Sequence, residues 1–299
     1  MSQAVLARLR SAAVRGMGKV WGMRYGRRLA AVIVTVLLLA STAACGESNV
    51  AQETPAGPTI AIGVAEDEPG LSWFNDGHYS GFDITVARYV AKSLGYADKQ
   101  IDFKSVTPHN GTQLLEQGKA DLVVSALPMA ATALAAIEYA GPYLVANQEL
   151  LIHSEEKSTL TSSKALTGKT VCTAMGSGAE ANLLKAIPGV IVKPRGTYPQ
   201  CLTALMVGEA DAVSADGALL SGLARSYGGT YLAVLADPIA KAEHGVLVRA
   251  GNTQLAGEVD QALKAMRRDG SWGRAVEALR RDTGFSVDRQ LNAAYADHR

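Results

Sequence analysis

Apolar positions along this chain follow two rhythms, short unbroken runs and spacings of three and four. Thr59–Val64 is a short β-type run, and the Gly- and Asp-rich stretch Glu66–Gly81 reads as loop. In Asp83–Leu94 the residues Ile84, Ala87, Val90, Ala91 and Leu94 share one helical face. Ile101–Val106 predicts a strand and Thr112–Gln117 a short helix closed by Gly118. Asp121–Leu127 is an apolar strand of the kind buried inside a parallel sheet. Gly141-Pro142-Tyr143 reads as a turn before a strand at Gln148–His153. A second cycle follows: strand Lys169–Ala174, glycine turn Gly176-Ser177-Gly178, helix Ala179–Ala186, strand Val190–Lys193, helix Pro199–Gly208 and strand Asp211–Ser214. His244–Val248 predicts a return strand, and two amphipathic helices close the chain.

The two cycles repeat one another. Leu114-Leu115-Glu116-Gln117-Gly118-Lys119-Ala120-Asp121-Leu122-Val123 and Leu205-Met206-Val207-Gly208-Glu209-Ala210-Asp211-Ala212-Val213 each read as helix end, glycine, then Ala-Asp entering an apolar strand. The repetition implies two α/β lobes built alike. Such lobes bind ligand at the carboxyl ends of their strands and in the crevice between domains. Alternating βα units alone would suit many enzymes equally well.

Residues 1–44 read as an export signal. They carry seven Lys or Arg and no Asp or Glu, then the twelve-residue apolar run Leu29–Ala40 and the small residues Ser41 to Ala44. The run is shorter than the roughly 18–20 apolar residues a membrane span needs. A start at Met23 rather than Met1 gives a more ordinary signal length. Cys45 follows Thr42-Ala43-Ala44 directly, as the lipidated cysteine of a bacterial lipoprotein does, although Thr42 stands where Leu is usual. Residues 45–57 then read as a flexible tether. The expected location is the outer face of the cell membrane, held there by the lipid.

Removing the leader changes the charge. The whole chain is +1, with 29 basic and 28 acidic residues; without the seven leader charges, 22 face 28, or −6. A mildly acidic protein lacks the basic footprint that nucleic acid requires. The remaining 255 residues from Cys45 to Arg299 suffice for one large or two medium domains with proper cores. Cys172 and Cys201 stand 29 positions apart, and in an exported chain a disulfide is the default. A metal site is the rival, but the five histidines show no ligand spacing near them.

These motifs resemble a known family. Glu68-Pro69-Gly70-Leu71 and Asp76-Gly77-His78-Tyr79-Ser80-Gly81-Phe82-Asp83-Ile84 resemble the opening of the family 3 extracellular solute-binding proteins. The likeness continues through Gly118-Lys119-Ala120-Asp121, Gly141-Pro142-Tyr143, Val171-Cys172-Thr173, Gly176-Ser177, Cys201-Leu202, Asp211-Ala212-Val213, Asp216 and Glu243-His244-Gly245. The cysteine pair is most similar to the glutamate/glutamine branch of actinobacterial lipoproteins. The resemblance implies a periplasmic binding protein-like α/β fold, with two lobes joined by a two-strand hinge and a ligand cleft between them. Lobe 1 would be 58–146 plus 245–299, and lobe 2 would be 147–244. It also implies a small-molecule solute as ligand, an ABC permease as membrane partner, and no cofactor.

A free amino acid needs a carboxylate partner for its ammonium and a guanidinium fork for its carboxylate. By resemblance Asp216 is the amine-binding carboxylate; a helix N-cap is its other reading. Trp73 stands where the family places an aromatic wall, or it packs in the core. Glu66 and Asp67 are solvated loop charges or counter-charges for a cationic cargo. Ser125 aligns with a position that binds the amine through its carbonyl. Gly176, Ser177 and Gly178 open a helix whose free N–H groups favour an anion.

The carboxylate side departs from the family. Where relatives read Thr-x-Thr-x-x-Arg, this chain has Pro128-Met129-Ala130-Ala131-Thr132-Ala133, so Ala133 replaces the arginine. The arginine of an Asn-Arg pair becomes Gly111 after Asn110, and no Arg or Lys occurs from Asp121 to Ser154. An unpaired carboxylate in a closed cleft costs several kcal/mol, which argues against glutamate and aspartate and toward a cationic or zwitterion-poor cargo. Arg195 is the alternative clamp.

Three functions compete: an importer's receptor for amino acids or related polar or cationic solutes, a degenerate or sensory lipoprotein, and an enzyme on the same fold. No nucleophile elbow, P-loop, dinucleotide fingerprint or metal cluster is visible. The sequence therefore reads as a binding protein and not an enzyme.

Overall fold

The computed structural model describes residues 55–126 and 137–293. The leader, Cys45, the start of the tether, Leu127 and the segment Pro128 to Ala133 lie outside the described residues. In chain order the elements are β1 (Ile60–Val64), β2 (Asp67–Glu68), β3 (Ser72–Asn75), β4 (His78–Ser80), α1 (Phe82–Ser93), β5 (Ile101–Ser105), α2 (Gly111–Glu116), β6 (Leu122–Ala126) and β7 (Ile137–His153). They continue with β8 (Thr170–Cys172), α3 (Ala179–Ala186), β9 (Ile191–Val192), α4 (Tyr198–Met206), β10 (Ala212–Asp216), α5 (Gly217–Leu223), β11 (Leu232–Arg249), α6 (Thr253–Arg268) and α7 (Ser271–Thr283).

Eight strands form one sheet in the order β5-β1-β6-β11-β7-β10-β8-β9. The order is symmetric about its centre. On one side β5, β1 and β6 run parallel, with β11 antiparallel against β6. On the other side β9, β8 and β10 run parallel, with β7 antiparallel against β10. Two βα lobes of the same winding thus meet at the antiparallel pair β7–β11, the two long strands that join them.

The repeated Ala-Asp does the same work in both lobes. Asp121 receives the Ala61 N–H on its carboxylate at 2.8 Å and donates its own N–H to Ala61 O at 2.8 Å. Asp211 receives the Thr170 N–H at 2.7 Å and donates to Thr170 O at 2.8 Å. Each aspartate therefore closes the amino end of the neighbouring parallel strand, where backbone groups would otherwise lack partners.

Helices cover the sheet with apolar faces. In α6 the buried positions Leu255, Val259, Ala262, Leu263 and Met266 recur at three and four. Fully burying each large member contributes about 1.5–3 kcal/mol. Trp272 of α7 donates to Tyr143 O at 2.7 Å, and buried Asn292 holds both backbone groups of Val145 at 2.8–2.9 Å. The C-terminal segment is thereby fixed to the middle of β7.

Two expectations differ from the structure. Residues 66–81 are not plain loop, because β2, β3 and β4 form a small antiparallel sheet in which Asp67 faces Trp73 and Trp73 faces Ser80. Gly141-Pro142-Tyr143 is not a turn; it lies inside β7, whose pairing with β11 shifts register between His244 and Val246 to accommodate it. Turn-type residues mark an irregularity in the ladder here, not a reversal of the chain.

Cys172, at the end of β8, is bonded to Cys201 in α4, and both are buried. Closing that loop contributes about 3–4 kcal/mol by chain entropy. The double substitution Cys172→Ser with Cys201→Ser is expected to lower the unfolding free energy by roughly that amount. A free-thiol count on the unreduced protein should find neither sulfur reactive; titration of both would refute the bridge.

Candidate functional site

The carboxyl ends of β6 and β10 approach the central pair from opposite sides. On β6, Ser125 faces Gly245 and Ala126 faces His244 of β11. On β10, Ala215 faces Glu149 and Asp216 faces Gln148 of β7. Across β7–β11, Gln148 meets Ala240 and Asn147 meets Lys241. The ladder itself therefore gathers residues from four strands at one place, where open α/β sheets bind ligands.

A cavity of about 20 Å³ opens there. Ala126, Ala215, Ala242 and Ala179 supply small apolar surface, and Gln148, Ser177, Tyr198, Asp216 and Lys241 supply the polar groups. A volume of this size holds about one water molecule.

Most of the polar groups are already engaged. The Gln148 amide donates to Ala179 O at 3.1 Å and Ser214 Oγ at 3.0 Å, and its oxygen accepts from Asn182 at 2.8 Å. Ser177 Oγ accepts the Ala179 N–H at 3.3 Å and lies 3.1 Å from Thr173 Oγ1. Asp216 Oδ1 accepts the Leu219 N–H at 2.9 Å and so caps α5, while Asp216 also lines the cavity. Lys241 is exposed and pairs with no carboxylate among the described residues.

Behind the cavity lies a buried ionic cluster. His244 is fully buried, with Nδ1 3.8 Å from Asp83 Oδ1 and Nε2 3.5 Å from Asp216 Oδ1. Burial alone would depress its pKa, but the Asp216 and Asp83 carboxylates outweigh burial and raise it to about 10. The imidazolium is thus an internal counter-ion joining the start of α1 to the end of β10. Glu68 is also buried, and burial together with Asp83, Asp216 and Asp67 pushes it well above the usual carboxylate range, with His244 opposing. The Tyr143 hydroxyl is raised by burial and then by Asp83, and its ring stands edge-on to His244 at 5.9 Å. Glu149 is pushed up to about 7 by burial and by Asp216.

Of the residues singled out from the sequence, Asp216 and Ser177 line the cavity, and Ser125 adjoins it through Ala126. Gly178 is the left-handed residue that opens α3. Gly176 has φ +79, and a Cβ there would sit 2.8 Å from Pro108 O and 2.9 Å from His109 Cα in the loop after β5. Trp73 and Asp67 pair on the small sheet, and Glu66 accepts the Tyr79 hydroxyl at 2.6 Å; none of the three lines the cavity. The Arg195 guanidinium reaches Glu209 at 2.9 Å on the surface, away from the cavity lining. Gly111 begins α2.

Lys241, Tyr198, Gln148, Glu68 and His244 escaped the sequence reading as site residues. Glu68 could have been found, because period-two alternation along β2 turns it to the opposite face from Asp67. Lys241 lies three positions before His244, a motif residue already quoted, but only the pairing of β11 with β7 brings it beside Gln148.

His244 supplies a pH test. Its folded-state pKa lies above the ordinary 6.5, so its stabilising contribution is complete below about pH 6.5 and lost as pH rises through about 10. His244→Gln, which leaves Asp83, Asp216 and Glu68 without their cation, should cost about 3–5 kcal/mol near neutrality. Urea unfolding should show the gap to wild type narrowing above about pH 10; an equal gap on both sides would mean that packing, not charge, is what His244 provides.

Comparisons with known proteins agree with this architecture. The sequence model of the bacterial extracellular solute-binding proteins, family 3, matches residues 60–278. The glutamate-binding protein of Corynebacterium efficiens is 26% identical over 262 residues, 84% of this chain and 89% of the relative. The ABC transporter glutamine-binding protein of Bacillus subtilis is 28% identical, over 80% of this chain and 91% of its own. Among solved structures, an ancestral arginine-binding protein bound to arginine superposes with a TM-score of 0.67 at 25% identity, covering 74% of this chain and 97% of its own.

Proposed function

Because the chain belongs to the bacterial extracellular solute-binding proteins, family 3, we propose that it is the lipid-anchored capture subunit of an ABC importer for amino acids or related small polar or cationic solutes. The observation that carries this reading is the cavity at the carboxyl ends of β6 and β10, with the Asp216 carboxylate in its wall. Lobe 1 is taken as 58–146 with 245–299 and lobe 2 as 147–244, hinged on β7 and β11. Closure over cargo is then a hinge motion. Trp73 and Asp67 belong to the small sheet, Glu66 immediately precedes it, and all three would act at the cleft's rim.

The relatives carry names that include glutamate, glutamine and cystine binding. For this chain, Ala133 and Gly111 stand at the two clamp positions, which disfavours glutamate. The same losses favour a second reading, a sensory or degenerate lipoprotein that signals to a membrane partner without transport. Catalysis is not proposed, although one structural neighbour is described as an ancestral amino acid-binding protein that preceded cyclohexadienyl dehydratase. Cys45, directly after the small residues Ser41 to Ala44, is the proposed anchor, at the outer face of the cell membrane; among the described residues no helix is long and apolar enough to cross a membrane.

Two measurements test these claims. Thermal shift followed by calorimetry across the amino acids and simple cationic amines should identify at least one stabilising solute. Asp216→Asn keeps an oxygen to cap α5 but removes the charge, and should weaken that solute about 10–100-fold. Silence across the panel would favour the sensory reading. Separately, Cys45→Ser should release the protein from cells into the medium, and unchanged membrane retention would refute the lipid anchor.

A further inference from the structure

We infer that Lys241 is the carboxylate partner of the cargo, replacing the guanidinium that the sequence lacks at positions 111 and 133. The inference rests on the receptor reading above and deepens it, because it assigns the residue that receives the α-carboxylate of a zwitterionic cargo.

Three observations combine. First, Lys241 and Asp216 line the same cavity, one from β11 and the other from the end of β10. A cation and an anion facing one small volume match the ammonium and carboxylate of a free amino acid. Second, two of the other polar groups there, Gln148 and Ser177, are already engaged. The Gln148 amide already donates to Ala179 O and Ser214 Oγ, and the Ser177 hydroxyl serves the first turn of α3. Lys241 has three donors and no carboxylate partner among the described residues. Third, Ser177 and Ala179 bring the amino end of α3 into the same lining, and its dipole has the sign that an anion requires.

Lys241 stands on a strand shared by both lobes, beside Asn147 of β7. A cation placed on the hinge remains near the cleft as the lobes part, whereas one carried by a single lobe would move away. Its exposure keeps the ammonium hydrated until cargo arrives, so the ligand-free protein bears no buried charge at this point. Among the described residues Lys241 forms no ion pair with Asp216, whose Oδ1 lies 3.5 Å from His244 Nε2.

The test compares L-glutamine, L-arginine and L-cystine, each against its own α-amide, by calorimetry on wild type, Lys241→Met, Lys241→Arg and Lys264→Met. Lys264 pairs with Asp260 on α6 and serves as a distant control. Wild type should bind at least one of the acids and prefer it to its amide by tenfold or more. Lys241→Met should lose that preference by weakening the acid alone, Lys241→Arg should keep it, and Lys264→Met should match wild type. An acid bound equally by wild type and Lys241→Met would overturn the role of Lys241 while leaving the receptor reading intact. Wild type that binds amides as well as acids would overturn the zwitterion assignment. No binding of any acid or amide by wild type would overturn the receptor reading, and this inference with it.

Discussion

The pairing of β7 with β11 is the constraint on which the molecule depends. Each strand belongs to the sheet of both lobes, and each supplies the antiparallel edge against which three parallel strands are laid. Site residues Gln148 and Lys241, together with the internal cation His244, sit on these two strands, within the few ladder positions where β6 and β10 end. Binding geometry and hinge geometry are therefore set by one set of backbone hydrogen bonds. A shift of register by one residue would turn every one of these side chains to the opposite face.

Charge is arranged around that pair in two layers. The inner layer is dry: His244 lies between Asp83 and Asp216, with Glu68 raised toward its neutral form by the same surroundings. One imidazolium there offsets carboxylates that would otherwise be unpaired in a low-dielectric interior. The outer layer is wet at Lys241 and closes on the cavity. Asp216 belongs to both layers, as a helix cap, as a partner of His244 and as part of the cavity wall. Its neutral substitution therefore perturbs more than ligand contact, and a substitution that retains the cap is the informative one.

Much of this fold was legible from periodicity and punctuation. The repeated Gly-x-Ala-Asp announced the duplicated lobe, and α3 was placed residue for residue, because glycine turns and Ala-rich helices leave local signals. The small sheet β2-β3-β4 was missed because its strands are two to four residues long and only partly buried. The passage of β7 through Gly141-Pro142-Tyr143 was missed because tertiary pairing overrode local turn chemistry. The polar site was partly visible. Asp216 and Ser177 were found through motif position, whereas Lys241 is a single lysine among surface lysines until β11 is paired with β7. Burial of Glu68 and His244 depends on contacts between residues more than a hundred positions apart, which no local pattern reports.

Gly176 and Gly222 meet the opposite side of the molecule with bare backbone: Gly176 lies against Pro108 and His109, and Gly222 against Pro69 O. Neither contact leaves room for a Cβ, so at these points the nearest approach of the two lobes is backbone to backbone. The latch and the lock are thus encoded separately. Substitutions in the cavity wall, such as at Ala126, Ala215 or Lys241, need not disturb how the halves meet. An ancestral lineage could change its cargo through a series of intermediates that all still shut, which is a route by which one scaffold diversifies without first losing its motion.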